Sequence, residues 1–285
     1  AKFEREIKLL IFYIREYGIQ HVHVTVDDID QNSQKFSEFI GSVHEGLYLA
    51  QKNVLRNLKS ILLDKKKTKL SLKQANREKN KAQAQLLSKK LHTLSYQEFV
   101  FRKVIDAIAW QLCELDITSI RRLYLGHTVI DITDSNIESC IEAVEKLASE
   151  DPCNFVLITD LSSFIQVGDL LLMNPEQGIR IIELKEGKEN KKISDILDEY
   201  SKNECDRYLH LSLEHENDKF KKQFLRYTKQ ISTGHEVIKT INTGKGKDQA
   251  TGLDITISQN KLELDTFEED VCQLLEKCSI KGYAF

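Results

Sequence analysis

Hydrophobic positions along this chain change period several times, and each change marks an element. In residues 1–17, Phe3, Ile7, Leu10, Ile11 and Ile14 recur three or four apart, the period of an amphipathic helix. His21 to Val26 alternates as a short strand, which Asp27-Asp28-Ile29-Asp30 ends. After Gly46 neither Gly nor Pro interrupts the chain as far as Leu125, which predicts a long helical hairpin with its turn near Asp64–Ser71. Leu47, Val54 and Ile61 stand seven apart with Leu58 between them. Leu72, Ala75, Ala82 and Leu86 partly continue this narrow seam, a coiled-coil signal interrupted by lysines. A different, more apolar helix is expected to begin at Leu94-Ser95-Tyr96-Gln97-Glu98 and to carry Phe99, Val104, Ile105, Ile108 and Leu112 into the core.

Farther along, the period shortens. Asp134-Ser135 reads as the cap of a helix through Ala148, and Asn154–Thr159 as a buried strand. Two short apolar runs, Asp169–Met173 and Gly178–Lys185, flank Asn174-Pro175-Glu176-Gln177-Gly178, which is strong turn chemistry. If the loop spans 174–178, Met173 faces Ile179 and the antiparallel register is set. Helices are predicted near Ile193–Tyr200 and over Asp218–Ser232, then a loop at Thr243–Lys247, a strand at Leu253–Ile257 and a closing helix at Phe267–Lys277.

In that register Asp169 lies opposite Glu183, where Cβ atoms of facing residues are roughly 4.5–5.5 Å apart. Lys185, two residues on, points to the same face. Two opposed carboxylates repel, and a divalent cation offsets that repulsion. Mg²⁺ is commonly held by one or two carboxylates with water and phosphate oxygens completing its shell. A neighbouring ammonium can orient water or stabilise developing charge. The competing reading is a solvated charge pair at a strand end, since Glu-x-Lys recurs at Glu6, Glu186 and Glu189.

Gly168-Asp169 followed by Ile182-Glu183-Leu184-Lys185 resembles the PD-(D/E)XK nuclease superfamily, the restriction-endonuclease-like fold, over about residues 96–260. Gly168 stands where the motif has proline. The stretch Phe101-Arg102 to Ala109-Trp110, with Ile182 to Asn190, also resembles uncharacterised bacterial proteins of this type, and a role in antiviral defence would fit them. The resemblance implies an α/β fold with an αβββαβ core, Mg²⁺ (or Mn²⁺ in its place) on Asp169 and Glu183, and Lys185 assisting water attack. It also implies a further metal-binding carboxylate from a helix before the sheet. Glu98 is the choice, with Glu138, Glu142 and Glu145 as rivals; its alternative role is an acid in a first helical turn. Gln223, Arg226, Tyr227 and Gln230 share one helical face, from which Gln223 would touch the water, scissile phosphate or DNA backbone; a plain polar face competes with that role. Arg102 and Asp106 read as an i,i+4 ion pair, and Asn190 as a turn or cap residue.

Charge adds a partner. The chain's net charge of −3 hides an arm: residues 52–95 hold thirteen Lys/Arg against Asp64 and Glu78. Such an arm is expected to grip the phosphate backbone of nucleic acid, DNA in particular, with little base discrimination. It could instead join subunits or a protein partner through its seam. Six cysteines without a Cys-x2-Cys pair read as reduced thiols of a cytoplasmic protein. His21-x-His23 and His210 with His215 have no cysteine company, so zinc is not expected. Gly244-Lys245-Gly246-Lys247 lacks phosphate-loop spacing, and no nucleophilic triad has a local signature. No run approaches the ~18 apolar residues of a membrane span, and no signal-peptide pattern opens the chain. The expected organisation is an N-terminal helical region, 1–95, carrying the basic arm 52–95, and a nuclease-like domain, 96–285. The expected function is a Mg²⁺-dependent nuclease; the alternatives are a DNA-binding or assembly protein with a silent or partner-activated core, and a coiled-coil scaffold.

Overall fold

The computed structural model describes residues 2–21, 34–113, 115–126, 131–133, 137–151, 153–174, 177–184, 187–248 and 251–257. Helices α1 (Lys2–Arg15) and α2 (Tyr17–His21) pack on α3 (Gln34–Arg77), which turns back into α4 (Lys81–Leu112). The α3–α4 hairpin is built on a seven-residue repeat. Leu47, Val54, Ile61, Thr68 and Ala75 are buried on α3, and Leu87, Leu94, Phe101 and Ile108 on α4. This spacing keeps one seam facing its partner along the whole hairpin.

The seam corrects three expectations. The turn lies at residues 78–80, not at Asp64–Ser71: Lys79 takes a left-handed φ of 55°, and the Asn80 side chain accepts the Gln83 N–H at 3.1 Å. The lysines at 65–69 are good helix formers with nothing among them to stop a helix, whereas asparagine is a strong N-cap. Ala82 and Leu86 are exposed rather than in the seam. No new helix begins at Leu94–Glu98; α4 runs unbroken across 95 and 96, and buried residues from both sides of that point share one core.

After α5 (Ile117–Arg122), α6 (Ile137–Glu150) packs on β1 (Phe155–Ile158), which is followed by β2 (Leu170–Asn174) and β3 (Gly178–Ile182). The three strands form an antiparallel meander in the order β1-β2-β3, and Met173 faces Ile179 as the turn chemistry predicts. The outer edge of β1 is covered by α3: buried Gln51 donates to the Val156 carbonyl at 3.0 Å and accepts the Ile158 N–H at 2.8 Å. One side chain thus satisfies an edge that would otherwise template pairing with another chain.

Arg102 and Asp106 are not simply paired with each other. Arg102 donates to the carbonyls of Asp160 and Ser162, at 2.7 and 3.2 Å. Asp106 accepts the Ser162 hydroxyl at 2.7 Å and the Ser163 N–H at 2.8 Å. The turn that follows β1 exposes backbone groups that need partners once buried, and these two side chains supply them.

Helices α7 (Lys188–Asn203), α8 (Asp206–Glu214) and α9 (Asp218–Thr243) follow the meander. Ile193, Ile196, Phe220, Phe224 and Tyr227 form a small core of their own, and α9 also lies on β3. α7 and α9 exceed their expected lengths, and α8 was not expected; Gly244, in a left-handed conformation, ends α9. β4 (Lys245–Lys247) lies where a loop was expected, and it pairs with β5 (Asp254–Thr256) in a separate two-stranded sheet.

The architecture is therefore a mixed α/β one, mostly helical, with a small three-stranded antiparallel sheet. The order α6-β1-β2-β3-α7 follows the expected αβββα, but the strand expected at 253–257 pairs with β4 instead of extending the meander. The strand expected over 21–26, apart from His21 at the end of α2, the cap at Asp134-Ser135 and the helix at 267–277 lie outside the described residues. Among the described residues no helix is long and apolar enough to cross a membrane.

Candidate functional site at the end of the β2–β3 hairpin

Asp169 immediately precedes β2 and Glu183 immediately follows β3, next to the last ladder pair, Leu170↔Ile182. Beyond that pair the ladder changes character. The Asp169 N–H donates to the Ile182 carbonyl at 3.0 Å, and the Asp169 carboxylate accepts the Leu184 N–H at 2.6 Å. From the other side, the Thr159 N–H donates to the Asp169 carbonyl at 3.1 Å, and the Thr159 hydroxyl to the Gly168 carbonyl at 2.6 Å. Asp169 is thus held from both sides, by Thr159 just past the end of β1 and by the end of β3, with its carboxylate oriented by a backbone donor.

Gly168 makes this possible. Its φ is +69°, and a Cβ there would stand 2.2 Å from Ile181 Cγ2. Proline, locked near −65°, cannot adopt this conformation. The glycine in place of the motif's proline is a requirement of the local backbone.

Glu183, half-buried, lines a cavity of about 410 Å³ with Arg180, Ser194, Tyr227, Gln230 and His235. Burial pushes the Tyr227 hydroxyl above the ordinary tyrosine value; a hydrogen bond with Ser194 opposes this, and the charges of Asp198, Glu183 and Asp195 add to it. The phenol therefore stays protonated at neutral pH. Ser194, Arg180 and His235 were not anticipated. Positions 227, 230, 234 and 238 share one stripe of α9, a signal present in the spacing, but spacing does not say which strand that stripe faces.

The remaining predicted residues are engaged elsewhere. Gln223 donates to Asn190 Oδ1 at 3.0 Å and accepts from Arg226 at 2.6 Å, tying α9 to the first turn of α7. Glu98 lies in the middle of α4, not in a first turn, and pairs with Lys65 at 2.5 Å and Arg102 at 3.3 Å. Its rivals on α6 face α3 cations or solvent: Glu138 pairs with Lys59, Glu145 with Lys52 at 3.0 Å, and Glu142 is exposed. Among the described residues no three His, Cys, Asp or Glu side chains converge on a possible metal position. Asp169 and Glu183 offer two carboxylates, which fits the donor set Mg²⁺ takes when water and phosphate complete its shell. Lys185 lies outside the described residues.

No protein-family model, curated protein or solved structure matches this chain.

Proposed function

We propose that this chain is a Mg²⁺-dependent nuclease that hydrolyses phosphodiester bonds in DNA, with Asp169 and Glu183 as the metal-holding pair and Lys185 assisting the attacking water. The observation that supports this reading is the β2–β3 register, which brings Asp169 and Glu183 to the same end of one hairpin. The bound metal would supply Lewis-acid stabilisation and an activated water. The chain's own part is positioning. Leu184 N–H orients the Asp169 carboxylate, Thr159 anchors its backbone, and α9 walls the Glu183 side with a protonated phenol. Glu98 is left out of the metal set, because Lys65 and Arg102 already hold it. Gln223 acts as a tie between α7 and α9.

The test is cleavage of supercoiled plasmid with Mg²⁺ or Mn²⁺ by the wild type beside Asp169→Asn and Glu183→Gln. Asparagine retains an acceptor for Leu184 N–H, so loss of nicking would report lost charge rather than a lost fold. Metal-dependent nicking that survives both substitutions would overturn the assignment. One observation favours a second reading, a DNA-binding or assembly protein with a silent core: the cations between 67 and 90 are exposed and outside any ion pair among the described residues. That reading expects salt-sensitive DNA binding with no cleavage by any of the three proteins.

A further inference from the structure

Alpha helix α9 has a second lined face, away from Glu183. There Arg121 and Arg122 from the end of α5, Lys229 from α9 and Lys247 from β4 surround a cavity of about 430 Å³, with Tyr124 on its wall. We propose that this cavity binds a phosphate-bearing small ligand of mononucleotide size.

The charge balance points that way. Two acids share the lining, Glu236 and Asp248, and both have other partners: Glu236 lies 3.7 Å from Lys239, and Asp248 accepts the Thr251 N–H and hydroxyl at 2.8 and 2.9 Å. Against these two carboxylates the four cations still leave the hollow a net positive charge, which a bound dianion offsets. Arg122 reaches Asp248 only at 3.7 Å, while its Nε is buried and has no hydrogen-bond partner among the described residues. A buried donor without an acceptor is uncommon in a folded protein, and the planar guanidinium matches phosphate oxygens in geometry. Tyr124 adds an exposed aromatic surface against which a base or sugar can pack. The volume lies within the roughly 300–1,000 Å³ of small-molecule pockets.

The walls are built rather than loose. A Cβ on Gly246 would stand 1.7 Å from Thr240 Oγ1, so the β4 backbone rests directly on α9 and brings Lys247 beside it. Gln166 holds the Tyr124 wall from both sides: its N–H donates to the Leu123 carbonyl at 2.8 Å, and its side chain accepts the Leu125 N–H at 2.9 Å. The site shares no lining residue with the Glu183 cavity, so it stands or falls apart from the nuclease reading.

Titration calorimetry of the full chain with AMP, ATP and inorganic phosphate at physiological ionic strength tests the assignment, with Arg122→Gln and Lys229→Glu alongside. Saturable nucleotide binding, tighter than phosphate alone and weakened about tenfold or more by each variant, is the expected result. Lys229 is exposed, so its variant should keep the wild-type melting temperature and guards against a folding artefact. Absence of saturable AMP and ATP binding overturns the proposal, as does binding that neither variant weakens. So does duplex DNA binding that both variants weaken in a protein that ignores nucleotides, which would reassign these cations to a nucleic-acid backbone.

Discussion

Between residues 52 and 66 the cations of α3 lie against acids of the body, whereas between 67 and 90 they face solvent. Lys52 meets Glu145, Arg56 meets Glu6 at 3.1 Å, Lys59 meets Glu138, Lys65 meets Glu98, and Lys66 lies 3.4 Å from Asp131. Lys67, Lys69, Lys73, Arg77, Lys79, Lys81, Lys89 and Lys90 are exposed, and none is in an ion pair among the described residues. One basic stretch therefore does two jobs. Its inner half fastens α3 to α1, α4 and α6, and its outer half presents a positive tip. A run of like charge in a sequence measures neither job alone, because the acids that meet it come from distant positions.

The largest effect that separates the halves is in the inner seam. Leu58→Ala removes a fully buried side chain and should cost about 2–5 kcal/mol in denaturant unfolding. The matching truncation of exposed Leu86 should cost almost nothing. Next comes the tip: Lys73→Glu with Arg77→Glu and Lys81→Glu should weaken duplex binding roughly a hundredfold and flatten the slope of log affinity against log salt by about 2.7, leaving the melting temperature unchanged. A salt slope identical to wild type would remove the tip as the DNA contact. Third, Glu98→Ala removes the carboxylate that Lys65 meets and one of the acceptors of Arg102, and should destabilise by about 1–3 kcal/mol, while plasmid cleavage, normalised to folded protein, stays at the wild-type level. Loss of cleavage there would return Glu98 to the metal set.

The fourth effect is a pH dependence. A hydrogen bond from Asn53, helped by Asn57 and Arg56, holds the buried Glu6 carboxyl below the ordinary glutamate value, against a smaller opposing effect of burial. Its stabilisation is fully present above about pH 4.5, the unfolded value, and is lost as pH falls through the lowered folded value. Glu6→Gln should therefore flatten the acid limb of stability against pH. The smallest effect belongs to the solvent-facing pair: Lys66→Ala should change stability by no more than about 1 kcal/mol, less at high salt.

Legibility followed the range of the interactions. The β2–β3 register was readable because turn residues adjacent in sequence set it, and Met173↔Ile179 follows from Asn174–Gly178 alone. Composition places the hairpin turn at 64–71 because a lysine-rich helix and a polar loop look alike; the deciding groups, Lys79 and the Asn80 cap, are a local detail within a uniformly polar run. Glu98 looked like a helix-start acid because the apolar density rises after it, yet its heptad position puts it in the seam beside Lys65. Gly168 stands where the motif has proline, and only the left-handed backbone against Ile181 shows why glycine is necessary there.

By itself the sequence determined the helical hairpin, its seven-residue seam, the meander's inner register and the arrival of Asp169 and Glu183 at one hairpin end, because short periodic patterns encode which residues share a face. Only the tertiary structure decided which cations of the arm are neutralised, that Gln51 covers the edge of β1, that Arg102 and Asp106 serve a turn rather than each other, and that α9 stands between two cavities. Those outcomes depend on groups some thirty to a hundred residues apart meeting in space, where desolvation makes every buried charge or backbone group take whichever partner the packing brings.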